Sequence, residues 1–465
     1  MAERINPNFK SDYEEFLCDY ILPLLGIDVD PSHSILDRQE HHVGPNRSAV
    51  EQNHGQLRFI VSEWQIFQVP CSTVMSADDL ALARRILQSF PDIARYKMTG
   101  TGRFLPNDFP FVMQKDALYK ATVQNGISRW LAGDKKNNKI GQLFNELETW
   151  AVKTYEGKNV TMGFIIDPDG VSDFHVGKRK WLDFMKDDAS AMLTDCIHSV
   201  IELDAQCNFI GYHSLSEGNT ISECTLNHKT PLRFSQMIQT HVKGNKCGVF
   251  LLNNGDIVLA KNQEVRFVRR NLRWLNLSYT AFRNAVQPFV SQYKSNRKAA
   301  AEKMEYLLES IFASILDVSF SHAGGIIAIV GDGWPASRRI EDGQQIPVLA
   351  ECDDLLNNAF DKKTPPDDIR PIKRAVLKKL INRSTFGFLD RKLRSELLGL
   401  DGACILGCDG RIYSFGAIIQ NDSGSTGGGR GAAAKKLSSY GMAVKVSTDG
   451  YIEVYINREL VYAVK

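Results

Sequence analysis

Apolar residues recur at two spacings along the chain, and these spacings predict where helices and strands lie. Helical spacing predicts helices over residues 140–155, 299–316 and 371–382. Short apolar runs predict buried strands, and these lie at residues 160–166, 247–252, 257–260, 265–268, 325–330, 404–406 and 442–446. Because helices and strands alternate along the chain, the pattern predicts an α/β fold.

The polar, basic stretch at residues 294–298 predicts a domain boundary. A chain of 465 residues fits two to four domains at about 100–200 residues each. We expect an N-terminal α+β domain over residues 1–157 and a middle α+β domain over residues 158–294, both possible sensors. Residues 295–465 are expected to form an α/β domain in which helices flank a mixed sheet.

The charge balance is nearly even, with 56 Lys and Arg against 54 Asp and Glu, which makes a nucleic-acid partner unlikely. Two local basic runs, at residues 178–180 and 266–273, are each interpreted as a solvated face, with a phosphate-backbone site as the alternative.

No apolar stretch reaches the roughly 20 residues that a membrane span needs, and no signal peptide is recognisable. The nine cysteines contain no C-x-x-C pair, so neither a zinc site nor a disulfide framework is indicated. We therefore expect a cytoplasmic protein without a membrane partner.

Asp401 stands out among the six Asp-Gly pairs of the chain. Most such pairs are turn signals, and those at Asp409 and Asp449 each lie between two strand-like runs, as hairpin turns do. Asp401 instead follows a predicted helix and precedes a strand, and Gly402 and Ala403 leave little bulk beside it. A carboxylate in that position suits a divalent cation that carries phosphate oxygens, with an ordinary turn as the alternative.

A glycine-rich segment over residues 423–431 precedes the helix-forming residues 432–438. Unhindered backbone N–H groups at the start of a helix bind anions, and Arg430 can add guanidinium donors to a phosphate. The alternative is a flexible linker. The helix and strand that follow favour a loop inside a folded domain, so we expect phosphate binding here.

The C-terminal third resembles the diadenylate cyclase domain, the catalytic domain of the bacterial DNA-integrity scanning protein and its membrane-anchored relatives. The resemblance covers about residues 300–465 and rests on the order of its segments. These are a helix, the GGIIAIVGD strand, further helices, LDGACILGCDGRIYSFGAII, the glycine-rich loop and AVKVSTDGYIEVY. The DGA motif and the AAA-x-x-LS run fall where that family has them.

The resemblance implies that two such domains meet face to face, each holding one ATP. The 3′-hydroxyl of each ATP would attack the α-phosphate of the other, giving cyclic di-AMP and two pyrophosphates. Asp401 would be the catalytic residue and hold Mg²⁺ or Mn²⁺. The other implied nucleotide contacts are Gly402 and Ala403 at the ribose, Ile419 on the adenine, and Thr426, Gly427, Gly428, Gly429 and Arg430 at the triphosphate.

One departure from the family leaves two functions open. The family's Arg-His-Arg motif falls on Gly428, Gly429 and Arg430, so only its second arginine is present. The retained Asp401 favours a cyclase controlled by N-terminal sensor domains. The missing cations favour an inactive nucleotide-binding sensor of the same fold, and a scaffold that only dimerises is a third alternative.

Overall fold

The computed structural model of the chain describes residues 14–27, 35–37, 49–53, 55–62, 65–71, 75–99, 111–133, 135, 137–172, 181–215, 229–293, 298–331, 336–341, 344–349, 370–381, 384–419 and 428–464. Internal contacts separate two units. The first comprises residues 1–220 and 236–280, and the second comprises residues 221–235 and 281–465. Both contain sheets and helices, which confirms the α/β class and the mixed, helix-flanked sheet of the C-terminal part.

The described residues of the first unit form two large sheets. One has four antiparallel strands in the order β1-β4-β3-β2, which are Ile35–Asp37, Ala49–Asn53, Gln56–Ser62 and Gln65–Pro70 in chain order. A two-stranded ribbon follows, formed by β5 (Thr154–Tyr155) and β6 (Lys158–Asn159). The other large sheet has seven strands in the order β13-β12-β11-β10-β7-β8-β9. These strands, from β7 to β13, are Met162–Asp167, Ser199–Asp204, Phe209–Ser214, Cys247–Leu251, Ile257–Lys261, Glu264–Arg270 and Arg273–Asn276.

Within the seven-stranded sheet, β7 and β8 run parallel and the remaining neighbours are antiparallel. The turn at Asn253–Gly255 joins β10 to β11, as the predicted hairpin requires, with Gly255 at φ +84°. The predicted meander of β10, β11 and β12 is therefore confirmed.

Within the described ranges, six helices belong wholly or in part to the first unit. They are α1 (Leu22–Leu24), which continues the π-helical turn Leu17–Ile21, α2 (Ala77–Thr99), α3 (Phe111–Leu131), α4 (Ile140–Ala151), α5 (Trp181–Phe184) and α6 (Leu232–His241). The short 3₁₀ segment Asp188–Met192 lies between α5 and β8. One hydrophobic cluster runs from Phe16 through Trp150 to Phe267. The predicted boundary at 157/158 thus lies inside a unit whose buried residues pack together.

Three of the four arginines in the basic run at residues 266–273 are buried, so its interpretation as a solvated face was wrong for them. Arg266, Arg269 and Arg270 on β12 are 6%, 9% and 6% exposed. Each has an acidic partner: Arg266 bonds to Asp78 and Asp79, Arg269 to Glu148, and Arg270 to Asp256. A buried guanidinium needs such a partner because desolvation of an unpaired charge is costly. The other basic run, at residues 178–180, lies outside the described residues.

The second unit is built on a six-stranded mixed sheet in the order β18-β17-β14-β19-β20-β21. Only β14 and β17 run parallel, and every other pair is antiparallel. The strands of the unit, from β14 to β21, are Gly325–Val330, Ala336–Glu341, Gln344–Leu349, Ala403–Gly407, Ile412–Ala417, Gly441–Val446, Ile452–Ile456 and Glu459–Val464. β15 and β16 form a separate hairpin. The predicted turns at Asp409-Gly410 and Asp449-Gly450 join β17 to β18 and β19 to β20, which confirms both.

Six further helices belong to the described part of the second unit, with α7 beginning at its boundary. They are α7 (Tyr279–Ala285), α8 (Gln287–Gln292), α9 (Lys298–Ser321), α10 (Arg370–Ile381), α11 (Arg391–Leu398) and α12 (Gly428–Ser438), and a 3₁₀ turn spans Phe386–Phe388. Helix α12 packs on one face of the sheet with a cluster that includes Ile326, Ala403 and Ala433. Buried Ile327 and Cys404 alternate with that cluster and point to the other face, where α11 packs.

A buried ion pair joins α11 to α9. Arg391 donates from Nε to Asp317 Oδ2 at 2.8 Å and from Nη2 to Asp317 Oδ1 at 2.9 Å. Both side chains are more than nine-tenths buried. This two-point contact fixes the helix that leads directly into Asp401.

None of the helices within the described ranges combines the length and the apolar character that a membrane crossing requires.

We predict that Asp256→Asn destabilises the first unit by about 3–5 kcal/mol, because it leaves the buried Arg270 guanidinium without its counter-charge. Arg270 donates to Asp256 Oδ2 from Nε at 2.9 Å and from Nη2 at 2.7 Å. Denaturant titration followed by tryptophan fluorescence measures this, since five of the six tryptophans belong to the first unit.

The matched control is Arg273→Ala, at the exposed end of the same basic run. It should change the free energy of unfolding by less than about 0.5 kcal/mol. Similar losses for both variants would contradict a structural role for the buried pair.

Candidate functional site

Four strand ends meet at one edge of the six-stranded sheet. Ile326 pairs with Ala403 in the parallel ladder, so β14 and β17 both begin at this edge. Their antiparallel neighbours end there, because Ala417 of β18 pairs with Ala403 and Val446 of β19 pairs with Gly325. We call this the candidate edge, comprising residues 324–325, 401–403, 417–419 and 446–448. It brings Asp401 and Ile419, which lie on different segments, to adjoining strands.

Asp401 lies between the end of α11 and the start of β17, and it is exposed. Within the described ranges its carboxylate makes no hydrogen bond or ion pair. Asp409 differs, since its Oδ1 accepts the Arg411 N–H at 3.0 Å within a hairpin turn. The Asp401 carboxylate is therefore exposed and has no partner among the described residues.

The backbone conformation and the close approach of β18 require glycine at position 402. Its φ is +100°, and a Cβ placed on it would lie 2.4 Å from the Gly416 carbonyl carbon and 2.8 Å from the Ala417 nitrogen. Only glycine lets β18 approach so closely. Ala403, the next residue, is fully buried in the cluster beneath α12. Any ligand contact of Ala403 would therefore come from its backbone.

Helix α12 begins at Gly428, four residues earlier than the helix-forming run at Ala432 suggested. Gly428, Gly429 and Arg430 thus belong to its first turn, where backbone N–H groups have no acceptor inside the helix. A short turn joins the end of α12 to β19, so the start of the helix points back toward the end of β19 at the candidate edge. Thr426 and Gly427 lie outside the described residues.

The Arg430 guanidinium lies over the start of β14. A Cβ placed on Gly324 would be 2.8 Å from Arg430 Nη1 and 3.3 Å from Thr448 Cγ2. Gly324 also has φ +71°, so glycine is favoured there on both grounds. In the part of the chain that the structure describes, Arg430 forms no hydrogen bond or ion pair. Strand β17, which follows Asp401, is the parallel neighbour of β14. Neighbouring strands of a sheet are about 4.8 Å apart.

Ile419 lies just past β18 and packs, partly buried, against the cluster on the α12 face of the sheet. Ile418 before it is 50% exposed. The sheet edge therefore presents an apolar side chain and the first turn of α12 on the same face. Asp401 precedes β17, which lies between β18 and β14 in the sheet.

Several polar residues at or beside the candidate edge were not among the predicted site residues. His322 precedes β14 at φ +55°, and its Nδ1 is 3.0 Å from the Thr448 carbonyl oxygen, which links the two strand ends. Lys445 and Glu453 lie on β19 and β20 and pair with each other. Residues two apart in a strand share a face, so Lys445 lies on the same face of β19 as the buried Ala443, beneath α12. This spacing was the signal in the sequence that could have identified Lys445.

Among the described side chains, no group of three or more His, Cys, Asp or Glu residues is arranged to hold a metal ion. Cys404 is no candidate ligand, because burial raises the pKa of its thiol well above the usual value. A metal at this edge would therefore rest on Asp401 and on oxygens that a ligand supplies, a combination that suits Mg²⁺ bound with a nucleotide.

No protein-family model matches the chain, and no curated protein matches it at a significant level.

We predict that Gly402→Ala destabilises the second unit by at least about 1–3 kcal/mol, because the added Cβ meets the backbone of β18 at a positive φ. Differential scanning calorimetry of the full chain measures the shift of the second unit's transition.

Gly429→Ala is the matched control in the same unit. Gly429 is helical and exposed, and a Cβ there meets nothing within 4 Å. Alanine should leave stability unchanged or raise it by up to about 1 kcal/mol. Equal effects of the two substitutions would contradict the close approach at Gly402.

Proposed function

We propose that the second unit binds ATP at the candidate edge and condenses two ATP molecules into cyclic di-AMP, with release of pyrophosphate. The observation that carries the proposal is the placement of Asp401, Arg430 and the first turn of α12 at one sheet edge. Two separate sequence motifs supply these groups, and both belong to the pattern that resembles a diadenylate cyclase domain.

The triphosphate would lie at the start of α12. The first-turn N–H groups of Gly428 to Gly431 can donate to phosphate oxygens, and the positive end of the helix dipole favours an anion there. Arg430 would add charge-assisted hydrogen bonds, which are stronger than those between neutral groups. Ile419, on the same face, would pack against the adenine.

Asp401 would hold Mg²⁺ or Mn²⁺ together with phosphate oxygens. The metal would neutralise charge on the phosphates and polarise the α-phosphate toward attack. Asp401 would also orient the 3′-hydroxyl of one ATP. That oxygen forms a bond to the α-phosphorus of the other ATP, the bond from this phosphorus to pyrophosphate breaks, and the hydroxyl proton passes to solvent water. The same step in the other direction closes the ring.

The reaction needs two copies of the second unit. Each copy holds one nucleotide, and the hydroxyl that attacks this nucleotide belongs to the ATP held by the other copy. We therefore propose self-association through the candidate edge, where the exposed Asp401 can reach a facing nucleotide. A cytoplasmic location belongs to the proposal, since ATP is available there. The first unit, which has its own buried cluster, would be regulatory.

A second candidate is a nucleotide-binding sensor without turnover. One observation favours it: the position of the family's Arg-His-Arg motif retains a single arginine, Arg430. Such a sensor would bind ATP at the same edge and form no product. Binding and product formation must therefore be measured separately.

We predict that the purified chain forms cyclic di-AMP from ATP with Mn²⁺, and that Asp401→Asn lowers the rate about a hundredfold or more. The substitution keeps the side-chain volume and removes the charge. Mass analysis of the nucleotide products gives the rates.

Asp409→Asn is the control, because it alters the exposed aspartate of another Asp-Gly pair at the opposite edge of the sheet. It should retain the parent rate. An Asp401→Asn rate within tenfold of the parent, at matched thermal stability, would remove Asp401 from the reaction. A parent that binds ATP and forms no product would favour the sensor.

We predict that Arg430→Ala weakens ATP binding by roughly 1.5–3 kcal/mol, the range for a hydrogen bond to a charged group. Adenosine, which lacks phosphates, should bind almost as it does to the parent. Calorimetric titration with both ligands measures the difference.

Lys435→Ala serves as the control for charge alone, since Lys435 is an exposed cation of the same helix. Its loss should cost less than about 1 kcal/mol for ATP. Equal losses of ATP and adenosine in Arg430→Ala would contradict a triphosphate site at the start of α12.

A further inference from the structure

A lysine lies beneath the first turn of α12, where the sheet would otherwise carry an apolar side chain. Lys445 is on β19, opposite Ile326 of β14 and Glu453 of β20. It shares the α12 face of the sheet with Ala443 and Ile326, both members of the buried cluster. Its side chain is 18% exposed. Burial of a charged group costs free energy unless the group is paired, so the position of Lys445 calls for an explanation.

Part of that reason is a neutralising partner. Lys445 Nζ lies 2.8 Å from Glu453 Oε2, and the Glu453 side chain is 13% exposed. The Tyr455 hydroxyl donates to the same oxygen at 2.9 Å. Burial and this hydrogen bond raise the pKa of Tyr455 to about 12, so the hydroxyl stays a donor at neutral pH. The Lys445 ammonium is therefore held in one place.

The ammonium is held close to the start of α12. A Cβ placed on Gly431, in the first turn, would lie 3.9 Å from Lys445 Nζ. Arg430, the preceding residue, lies over Gly324 at the start of the strand that Lys445 pairs with. Two cations from different elements thus meet the same helix turn, one from the helix and one from the sheet below it.

The charge of the ligand favours a second protein cation beside the proposed metal ion and the helix start. A triphosphate carries several negative charges, whereas Arg430 supplies one positive charge. An ammonium has three N–H donors, and the described residues give Lys445 one partner, Glu453. Its other donors remain available to an acceptor beside Gly431.

We propose that Lys445 is a phosphate-binding residue of this site, supplying from β19 a cation that the motif at residues 428–430 lacks. Glu453 and Tyr455 hold the ammonium in position while no nucleotide is bound. This assignment rests on the proposed ATP site. It goes beyond that site because Lys445, although it lies in the AVKVSTDGYIEVY segment, is not among the site residues that the resemblance implies.

The test compares calorimetric affinities for ATP and adenosine in four full-length proteins. They are the parent, the double variant Lys445→Met/Glu453→Gln, the single variant Glu453→Gln, and Lys435→Met. The double variant removes both charges, so no buried carboxylate is left unpaired. Glutamine at 453 keeps an acceptor for Tyr455. Lys435→Met removes an exposed lysine from α12.

The double variant should bind ATP at least about tenfold more weakly than the parent, with adenosine affinity changed less than about twofold. Glu453→Gln alone keeps the ammonium and removes its competing carboxylate, so ATP should bind as tightly as in the parent or more tightly. Lys435→Met should stay within about twofold of the parent for both ligands.

Parent-like ATP affinity in the double variant would overturn the assignment of Lys445. So would equal losses of ATP and adenosine, or a tenfold loss in Glu453→Gln alone, since these mark a structural pair. If Arg430→Ala still weakens ATP binding in that case, the ATP site stands and only Lys445 is excluded from it. A parent that binds no ATP overturns both proposals.

Discussion

The parallel pairing of β14 with β17 is the constraint on which the candidate site depends. Because Ile326 lies opposite Ala403, both strands start at one edge, and the segments that precede them, ending in Gly324 and Gly402, become neighbours. The crowding at that edge is severe. A Cβ on Gly325 would lie 2.4 Å from the Leu398 carbonyl oxygen, and one on Gly402 would meet β18. The glycines therefore let helix α11 and strand β18 close on the edge, which leaves Asp401 exposed beside it.

Much of the second unit could be predicted because its signals are local. The turns at Asp409-Gly410 and Asp449-Gly450 each lie between the strands they join, and Asp-Gly pairs between strand-like runs are strong hairpin signals. Helix α2 of the first unit was not predicted. Its sequence, Ala77–Thr99, contains Pro91, a residue that normally ends or kinks a helix. Tertiary packing against α3 outweighs that local preference.

Features that depend on distant residues could not be read from the sequence. Arg266 on β12 is buried because Asp78 and Asp79, nearly 190 positions earlier in the chain, neutralise it. A basic run looks solvated until its partners are known. The same holds at the candidate site. Asp401 and the glycine-rich motif are visible as motifs in the sequence. Lys445 lies in a strand, and only the folded structure shows that its ammonium is close to the first turn of α12.

Charged side chains have two kinds of environment among the described residues. This difference distinguishes the structural ion pairs from the candidate site. In the first unit, the buried Arg270 has Asp256 as its counter-charge, so nothing further is needed for neutrality. At the candidate edge, Arg430 lies over Gly324 before β14 and Asp401 precedes β17, and neither pairs with the other or with another described residue. Under the proposed function, a ligand with both phosphates and a metal would complete this arrangement, because it would offer an anion to Arg430 and a cation to Asp401.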